Sequence, residues 1–321
     1  MTPLSSFARF AWGVLAYNVA VVLWGALVRA TGSGAGCGRH WPACNGQVMP
    51  QLASTHTMIE FAHRATSGIA LLLVLAMLVW AWRAFPRGHL VRRGAALSTA
   101  FIIAEALLGA GLVLFELVAD DKSAMRAFSM SAHLVNTFLL LGALTLTGWW
   151  ASGGAPVRVR KQGALGAVLL TAVGATILVG ATGAVTALGD TLFPKSAVGF
   201  DLSSTAHFLE RLRIVHPLLA VVTSVYITAV GWMVRRARPS ATTRRLAAIL
   251  TALFAVQVAA GLVNIVLRVP IWMQLTHLFL ADCVWIALVL TTASALAHEP
   301  AEARPAGSAS CTPPPPRVQV R

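Results

Sequence analysis

Long runs of apolar residues alternate along this chain with short polar segments. An apolar run of about 20 residues is long enough for an α-helix to cross the hydrocarbon core of a bilayer. The pattern predicts eight such spans, at about residues 10–30, 58–82, 95–118, 128–150, 163–187, 212–234, 246–267 and 272–297. We therefore expect an all-α integral membrane protein.

Composition supports a membrane location. The chain is 57% hydrophobic and only 11% charged, whereas soluble domains carry about 25% charged residues. Its formal net charge of +14 raises the question of nucleic-acid binding. However, the basic residues form short clusters between the apolar runs, which is typical of membrane orientation and not of a basic binding face. We expect the lipid bilayer, and no nucleic acid, as the partner.

The basic clusters also predict an orientation. The loops after the second, fourth and sixth spans carry twelve Arg and Lys residues, and the opposite loops carry six. Because basic loops stay in the cytoplasm, we expect both termini of this multi-pass protein on the cytoplasmic side of the cell membrane. The segment 299–321 contains four consecutive prolines and is predicted to be a disordered cytoplasmic tail.

The two halves of the chain resemble each other. Long outer loops, at about 31–57 and 188–211, follow the first span of each four-span set. The segment from Glu105 to Gly109 aligns with that from Gln257 to Gly261, and the segment from Gly25 matches that from Gly180 loosely. These matches predict two tandem four-helix bundles related by an internal repeat. The expected units are 1–155 and 156–298.

Four histidines share one depth in the predicted bundle. Each lies near the outer end of an even-numbered span, and the repeat pairs them as His63 with His133 and His216 with His277. A haem with two histidine ligands needs imidazoles from facing helices at equal depth, which four-helix bundles supply. Interfacial or hydrogen-bonded histidines are the alternative, and a zinc site would need clustered ligands. We favour two haem sites.

The halves differ beside the first histidine of each pair. Glu60 precedes His63 by three residues, and Arg213 holds the corresponding place before His216. Glu60 therefore shares a helix face with His63, where a carboxylate could act as a base or stabilise positive charge. Alternatively, Glu60 merely pairs with Arg64, and Arg64 itself either holds a haem propionate or is an interfacial residue.

Other polar residues leave alternatives open. Glu105 and Asp282, which lie within predicted spans, are expected to bond across helices, with proton transfer as the alternative. Cys37 and Cys44, in the first outer loop, are spaced for a disulfide. That disulfide would either staple the loop or exchange electrons. A zinc site formed with His40 lacks a fourth ligand.

The sequence Glu60-Phe-Ala-His63-Arg64, the Cys37/Cys44 loop and the duplicated eight-helix plan together resemble the haem A synthase family. The resemblance covers about residues 10–297. It implies oxidation of the C8 methyl of haem O to a formyl group by successive hydroxylations, which makes haem A for cytochrome c oxidase. It also implies that His63 and His133 bracket the substrate haem O, that His216 and His277 ligate a haem B cofactor, and that Glu60, Cys37 and Cys44 take part in catalysis.

One departure from the family concerns the second outer loop. Some relatives carry a second cysteine pair there, but residues 188–211 contain no cysteine, so any redox role would rest on Cys37 and Cys44. The expected partners are haem O synthase and an unidentified electron acceptor or donor, and a homo-oligomer is left open. A di-haem b-type cytochrome that only transfers electrons is the main alternative function. A transporter with an internal repeat is the other.

Overall fold

The computed structural model describes residues 4–50, 54–160, 162–194, 206–238 and 240–297. Within these ranges the chain is helical, without strands apart from an isolated bridge between Cys44 and Gln47, which confirms the all-α prediction. The predicted tail at 299–321 lies outside the described residues. The helices are α1 (Ser6–Ala30), α2 (Thr55–Ala84), α3 (Leu90–Leu114), α4 (Ala124–Ala151), α5 (Gly163–Leu192), α6 (Phe208–Leu212), α7 (Val215–Ala237), α8 (Ala241–Val266) and α9 (Ile271–Leu296).

Eight spans of 25 to 30 residues are long and apolar enough to cross a membrane, which confirms the predicted number. The short helix α6 and the helix α7 together form the sixth of them, Phe208–Ala237. We call α1–α4 the N-terminal half and α5–α9 the C-terminal half.

Serine caps place the starts of several helices earlier than hydropathy predicts. The side chains of Ser54 and Ser123 accept hydrogen bonds from the backbone N–H groups three residues on, so α2 and α4 begin there. His63 and His133 therefore lie in the third turn of their helices. An apolar run does not reveal such a cap, because capping depends on a single polar side chain.

Helix α5 begins where it is predicted to begin, but its carboxyl end lies further along the chain than predicted. It continues to Leu192, five residues into the predicted outer loop. Two polar side chains of the extra turn contact other parts of the chain: Asp190 lies 3.1 Å from Arg213, and Thr191 accepts a hydrogen bond from Arg29 at 2.6 Å. Tertiary contacts thus extend a helix whose local sequence suggests a loop.

The halves meet along α4 and α9, which are the most buried spans, about half of each being covered by protein. Phe138 on α4 stacks on Trp285 on α9 with ring centroids 5.0 Å apart. The indole Nε1 of Trp285 also donates a 2.6 Å hydrogen bond to the carbonyl of Phe138. Helices α1 and α5 pack beside this central pair, and the histidine-bearing helices α2 and α7 lie outside it.

Candidate haem sites

Each of the four candidate histidines lies against a glycine of a neighbouring helix. A Cβ atom added at Gly25, Gly183 or Gly261 would lie 3.0 to 3.1 Å from the imidazole ring, so a larger residue there would crowd the ring, whereas at Gly109 the distance of 3.8 Å is an ordinary contact. The four pairs are Gly25 with His63, Gly109 with His133, Gly183 with His216 and Gly261 with His277.

The glycine contacts also establish the register of the two halves. The alignment of Gly109 with Gly261 agrees with them, because each lies against the second histidine of its half. The loose match of Gly25 with Gly180 is wrong by three residues. Gly183 is the structural counterpart of Gly25, whereas Gly180 packs against Phe138.

In the C-terminal half, His216 and His277 face each other. Their ring centroids are 6.4 Å apart and the rings are perpendicular. Two imidazoles that each bind one metal through a bond of about 2 Å have centroids roughly 6 Å apart. Behind His216, the carbonyl oxygen of Val179 lies 3.1 Å from Nδ1, an arrangement that leaves Nε2 for a metal.

In the N-terminal half, His63 lies on α2 against Gly25 of α1, and His133 lies on α4 against Gly109 of α3. Glu105 on α3 stands behind His133: its Oε1 lies 3.2 Å from Nδ1, as an electrostatic contact and not an aligned hydrogen bond. Thr137 and Asn136 donate hydrogen bonds to the two carboxylate oxygens of Glu105, each at 2.5 Å. The prediction that Glu105 bonds across helices is therefore confirmed.

The prediction that Asp282 also bonds across helices is wrong. Its side chain is completely buried, and neither oxygen has a hydrogen-bond partner among the described residues. Asp282 lies five residues beyond His277, on the side of α9 that is buried in the protein.

Glu60 is buried and fully engaged. One oxygen accepts hydrogen bonds from Arg64 Nε at 3.1 Å and Nη2 at 2.5 Å, and the other accepts from the backbone N–H of Cys37 at 2.7 Å. Arg64 also donates to the carbonyl oxygens of His40 and Ala43. Of the alternatives for Glu60, the ion pair with Arg64 is thus present, and it clamps the first outer loop onto α2.

That loop contains the predicted disulfide between Cys37 and Cys44, both completely buried. Because the two sulfurs are bonded to each other, they do not provide thiolate ligands for zinc. In the described part of the chain, no group of three His, Cys, Asp or Glu residues is arranged to hold a metal ion.

Arg213, the counterpart of Glu60, has a different environment. It lies 3.1 Å from Asp190 and donates to the carbonyls of Gly189 and Phe193 at the end of α5. An arginine side chain near the end of a helix can donate hydrogen bonds to the last carbonyl groups, which have no partner within the helix. The C-terminal half therefore has a capped helix end where the N-terminal half has a carboxylate and a disulfide loop.

Several of these residues were not identified from the sequence. Arg29 links the halves, because it donates to Ala187 and Thr191 of α5 and to Gln274 of α9. The Asn136 and Thr137 contacts with Glu105 were also missed. Of the four glycines, only Gly109 and Gly261 could be predicted from the sequence, because they occupy the same place in the aligned repeat.

The residues present fit a haem in each half. All four rings are partly covered by protein and keep some surface open, and Nδ1 of His63 and His277 is buried without a hydrogen-bond partner among the described residues. The fold and these histidines define a multi-pass helical membrane protein with two candidate haem-ligating histidines in each four-span half. Residues 8–289 match the COX15-CtaA family, described as cytochrome oxidase assembly protein. The chain belongs to this family.

Individual relatives agree with this assignment only in part. A protein of Thermus thermophilus named protoheme IX farnesyltransferase is 53% identical over 296 residues, or 91% of this chain but 49% of its own length. The chain thus spans about half of that relative. Proteins named heme A synthase match shorter regions. The one from Shouchella clausii is 47% identical over 95 residues, or 30% of this chain and 32% of its own length. The one from Geobacillus kaustophilus is 38% identical over 123 residues, or 37% of this chain and 39% of its own.

Proposed function

We propose that this protein is a haem A synthase that oxidises the C8 methyl of haem O to the formyl group of haem A, for use by cytochrome c oxidase. The observation that carries the proposal is the asymmetry between the histidine pairs. A buried carboxylate, Glu60, holds the Cys37–Cys44 loop at a position three residues before His63 on α2, and an arginine, Arg213, stands three residues before His216. The family, and relatives named heme A synthase, support the same reaction class.

In this proposal each half holds one haem. Residues 1–155 bind the substrate haem O between His63 and His133, and residues 156–298 bind haem B between His216 and His277. Haem B, when bound, supplies a one-electron redox centre. His216 and His277, whose ring centroids are 6.4 Å apart, are the residues that would hold it. Both termini are proposed to lie in the cytoplasm, with the histidines near the outer face of the cell membrane.

Glu60 is proposed to act on the substrate as a base or by stabilising positive charge. The N–H of Cys37 and the guanidinium of Arg64 hold both carboxylate oxygens, which fixes the side chain of Glu60 in place. Arg64 is proposed to contribute to haem binding as well as to this clamp. Cys37 and Cys44 are proposed to exchange electrons with an unidentified partner, since the disulfide adjoins Glu60.

The name of the Thermus relative suggests the preceding step. A farnesyltransferase acting on protohaem IX makes a farnesylated haem, which is the chemical class to which haem O belongs. Because this chain aligns with only 49% of that protein, we assign the farnesyl transfer to the unaligned part. The arrangement supports haem O synthase as a functional partner of this chain.

Co-expression with haem O synthase, in a host that makes no haem A, tests the proposal. We expect chromatography and mass spectrometry of the extracted haems to detect haem A or its hydroxylated precursor, and His63→Ala to abolish both. Recovery of only unmodified haem B and haem O from aerated cells would contradict the proposal and favour an electron-transferring di-haem cytochrome.

A further inference from the structure

The two proposed haem sites differ in what stands behind their histidine ligands. In the N-terminal half, the carboxylate of Glu105 lies 3.2 Å from Nδ1 of His133. In the C-terminal half, the neutral carbonyl of Val179 lies 3.1 Å from Nδ1 of His216. In each site, one histidine thus has an oxygen atom beside its Nδ1, but only in the N-terminal site does that oxygen belong to a charged group.

The position of Glu105 is fixed by α4 itself. Asn136 and Thr137 follow His133 by three and four residues, so all three side chains share one face of the helix. Both donate to Glu105, and Asn136 also donates to the carbonyl of Phe101 on α3 at 2.9 Å. A group that accepts from two donors in this way is suited to remain an ionised carboxylate, which is acceptor-only.

The C-terminal half lacks this arrangement. Gln257 occupies the place of Glu105, and its amide nitrogen lies 3.3 Å from Nε2 of His277, not beside Nδ1. The residues three and four positions after His277 are Leu280 and Ala281, which have no hydrogen-bonding side chain. Neither a negative charge nor the donors that would hold one are therefore present behind His277.

A negative charge beside an axial imidazole stabilises the ferric state of a haem more than the ferrous state. The reason is electrostatic, because the ferric iron carries one more positive charge, and at short range in a medium of low dielectric the effect is large. Hydrogen bonding and charge around the axial ligand are established means of adjusting haem potentials.

We propose that Glu105 is a positioning residue that acts through His133 to lower the reduction potential of the haem in the N-terminal half below that of the haem in the C-terminal half. The inference rests on the proposed function for the presence of both haems. Glu105 in the N-terminal half and Gln257 at the corresponding place in the C-terminal half would thus give the two haems different reduction potentials, so that the C-terminal haem accepts electrons more readily.

Glu105→Gln tests this assignment with a substitution of almost unchanged size. The purified protein, loaded with haem in both halves, is titrated spectroscopically against applied potential, and the N-terminal haem is identified by its loss from His63→Ala. We expect the ferrous-to-ferric ratio of the N-terminal haem at a fixed potential to rise about tenfold, or 59 mV. The C-terminal haem is the internal control and should not shift.

Thr137→Val provides a second variant with the opposite expected sign. It removes one donor from Glu105 and leaves the carboxylate charge less neutralised, so the N-terminal potential should fall slightly. A general disturbance of the site would shift both variants in the same direction, which would overturn the proposal.

Two outcomes distinguish an error in the role of Glu105 from an error in the proposed function. If both haems are bound and haem A is still formed, but Glu105→Gln leaves the N-terminal potential unmoved or shifts both haems equally, then Glu105 does not have this role. The absence of any haem from the N-terminal pair of the unaltered protein would overturn this inference and the proposed function together.

Discussion

The N-terminal and C-terminal halves place their histidines alike and surround them differently. In both, a glycine of a neighbouring helix gives each imidazole its space. In the N-terminal half, however, two carboxylates stand near the histidines, and Glu60 fastens a disulfide loop over α2. In the C-terminal half, the corresponding positions are Arg213, which caps the end of α5, and the neutral Gln257.

This comparison separates binding from chemistry. The features that the halves share, namely two histidines each and a glycine against every one of them, are those that the proposed function assigns to haem ligation. The features that differ are charged groups and a redox-capable cysteine pair, which are the groups that reactions use. On the proposed function, the repeat provides two similar sites, and a few polar differences would make one of them reactive.

Replacing Glu60 should have the largest effect. We expect Glu60→Ala to retain both haems and to lower the conversion of haem O by about a hundredfold or more, since general acid–base groups contribute that much. Haem content by absorption and product by chromatography are measured on the same preparation. Arg213→Ala is the matched variant in the other half, and equal losses from both would remove the distinction between the halves.

The next largest effect should come from filling the space beside a histidine. A Cβ at Gly25 would lie 3.0 Å from Cε1 of His63, and one at Gly183 would lie 3.0 Å from Cε1 of His216. We expect Gly25→Val to lose the N-terminal haem alone and Gly183→Val the C-terminal haem alone. Valine is a better helix former than glycine, so loss of helix would not explain the result.

A control for this prediction lies on the same helix as Gly25. Gly13 has no atom within 4 Å of its added Cβ, and Gly13→Val should leave haem content unchanged. If Gly25→Val keeps its full haem content, the N-terminal histidine pair is not the binding site.

The cysteine pair should have a smaller effect. For the double variant Cys37→Ser and Cys44→Ser, we expect turnover per haem-loaded molecule to fall, because the pair can no longer exchange electrons, and the free energy of unfolding to fall by about 2 kcal/mol. Activity and thermal unfolding of the purified protein measure the two effects separately. Lower abundance with normal turnover would show that the disulfide only staples the loop.

The smallest effect should come from the contact that both halves share. Trp285→Phe keeps an aromatic ring against Phe138 and removes the 2.6 Å hydrogen bond to its carbonyl. We expect a loss of about 1 kcal/mol in the free energy of unfolding, with both haems retained. Selective loss of one haem would indicate that this contact belongs to a single half.

The sequence predicts the spans well because an apolar run of 20 residues is a property of composition, not of particular contacts. It predicts helix ends poorly, since these depend on caps such as Ser54 and on tertiary contacts such as those of Asp190. The histidine pairs are predictable from the repeat. The contact of Glu105 with His133 is not, because it depends on how α3 is rotated against α4, which residue spacing does not specify.

The central claim is that the N-terminal half changes a haem and the C-terminal half keeps one. The most direct test is to identify the haems retained by His63→Ala and by His277→Ala after co-expression with haem O synthase. The account predicts that His63→Ala keeps haem B and contains neither haem O nor haem A, whereas His277→Ala loses haem B and still holds haem O. The reverse distribution, with haem O retained by His63→Ala and haem B by His277→Ala, would contradict it.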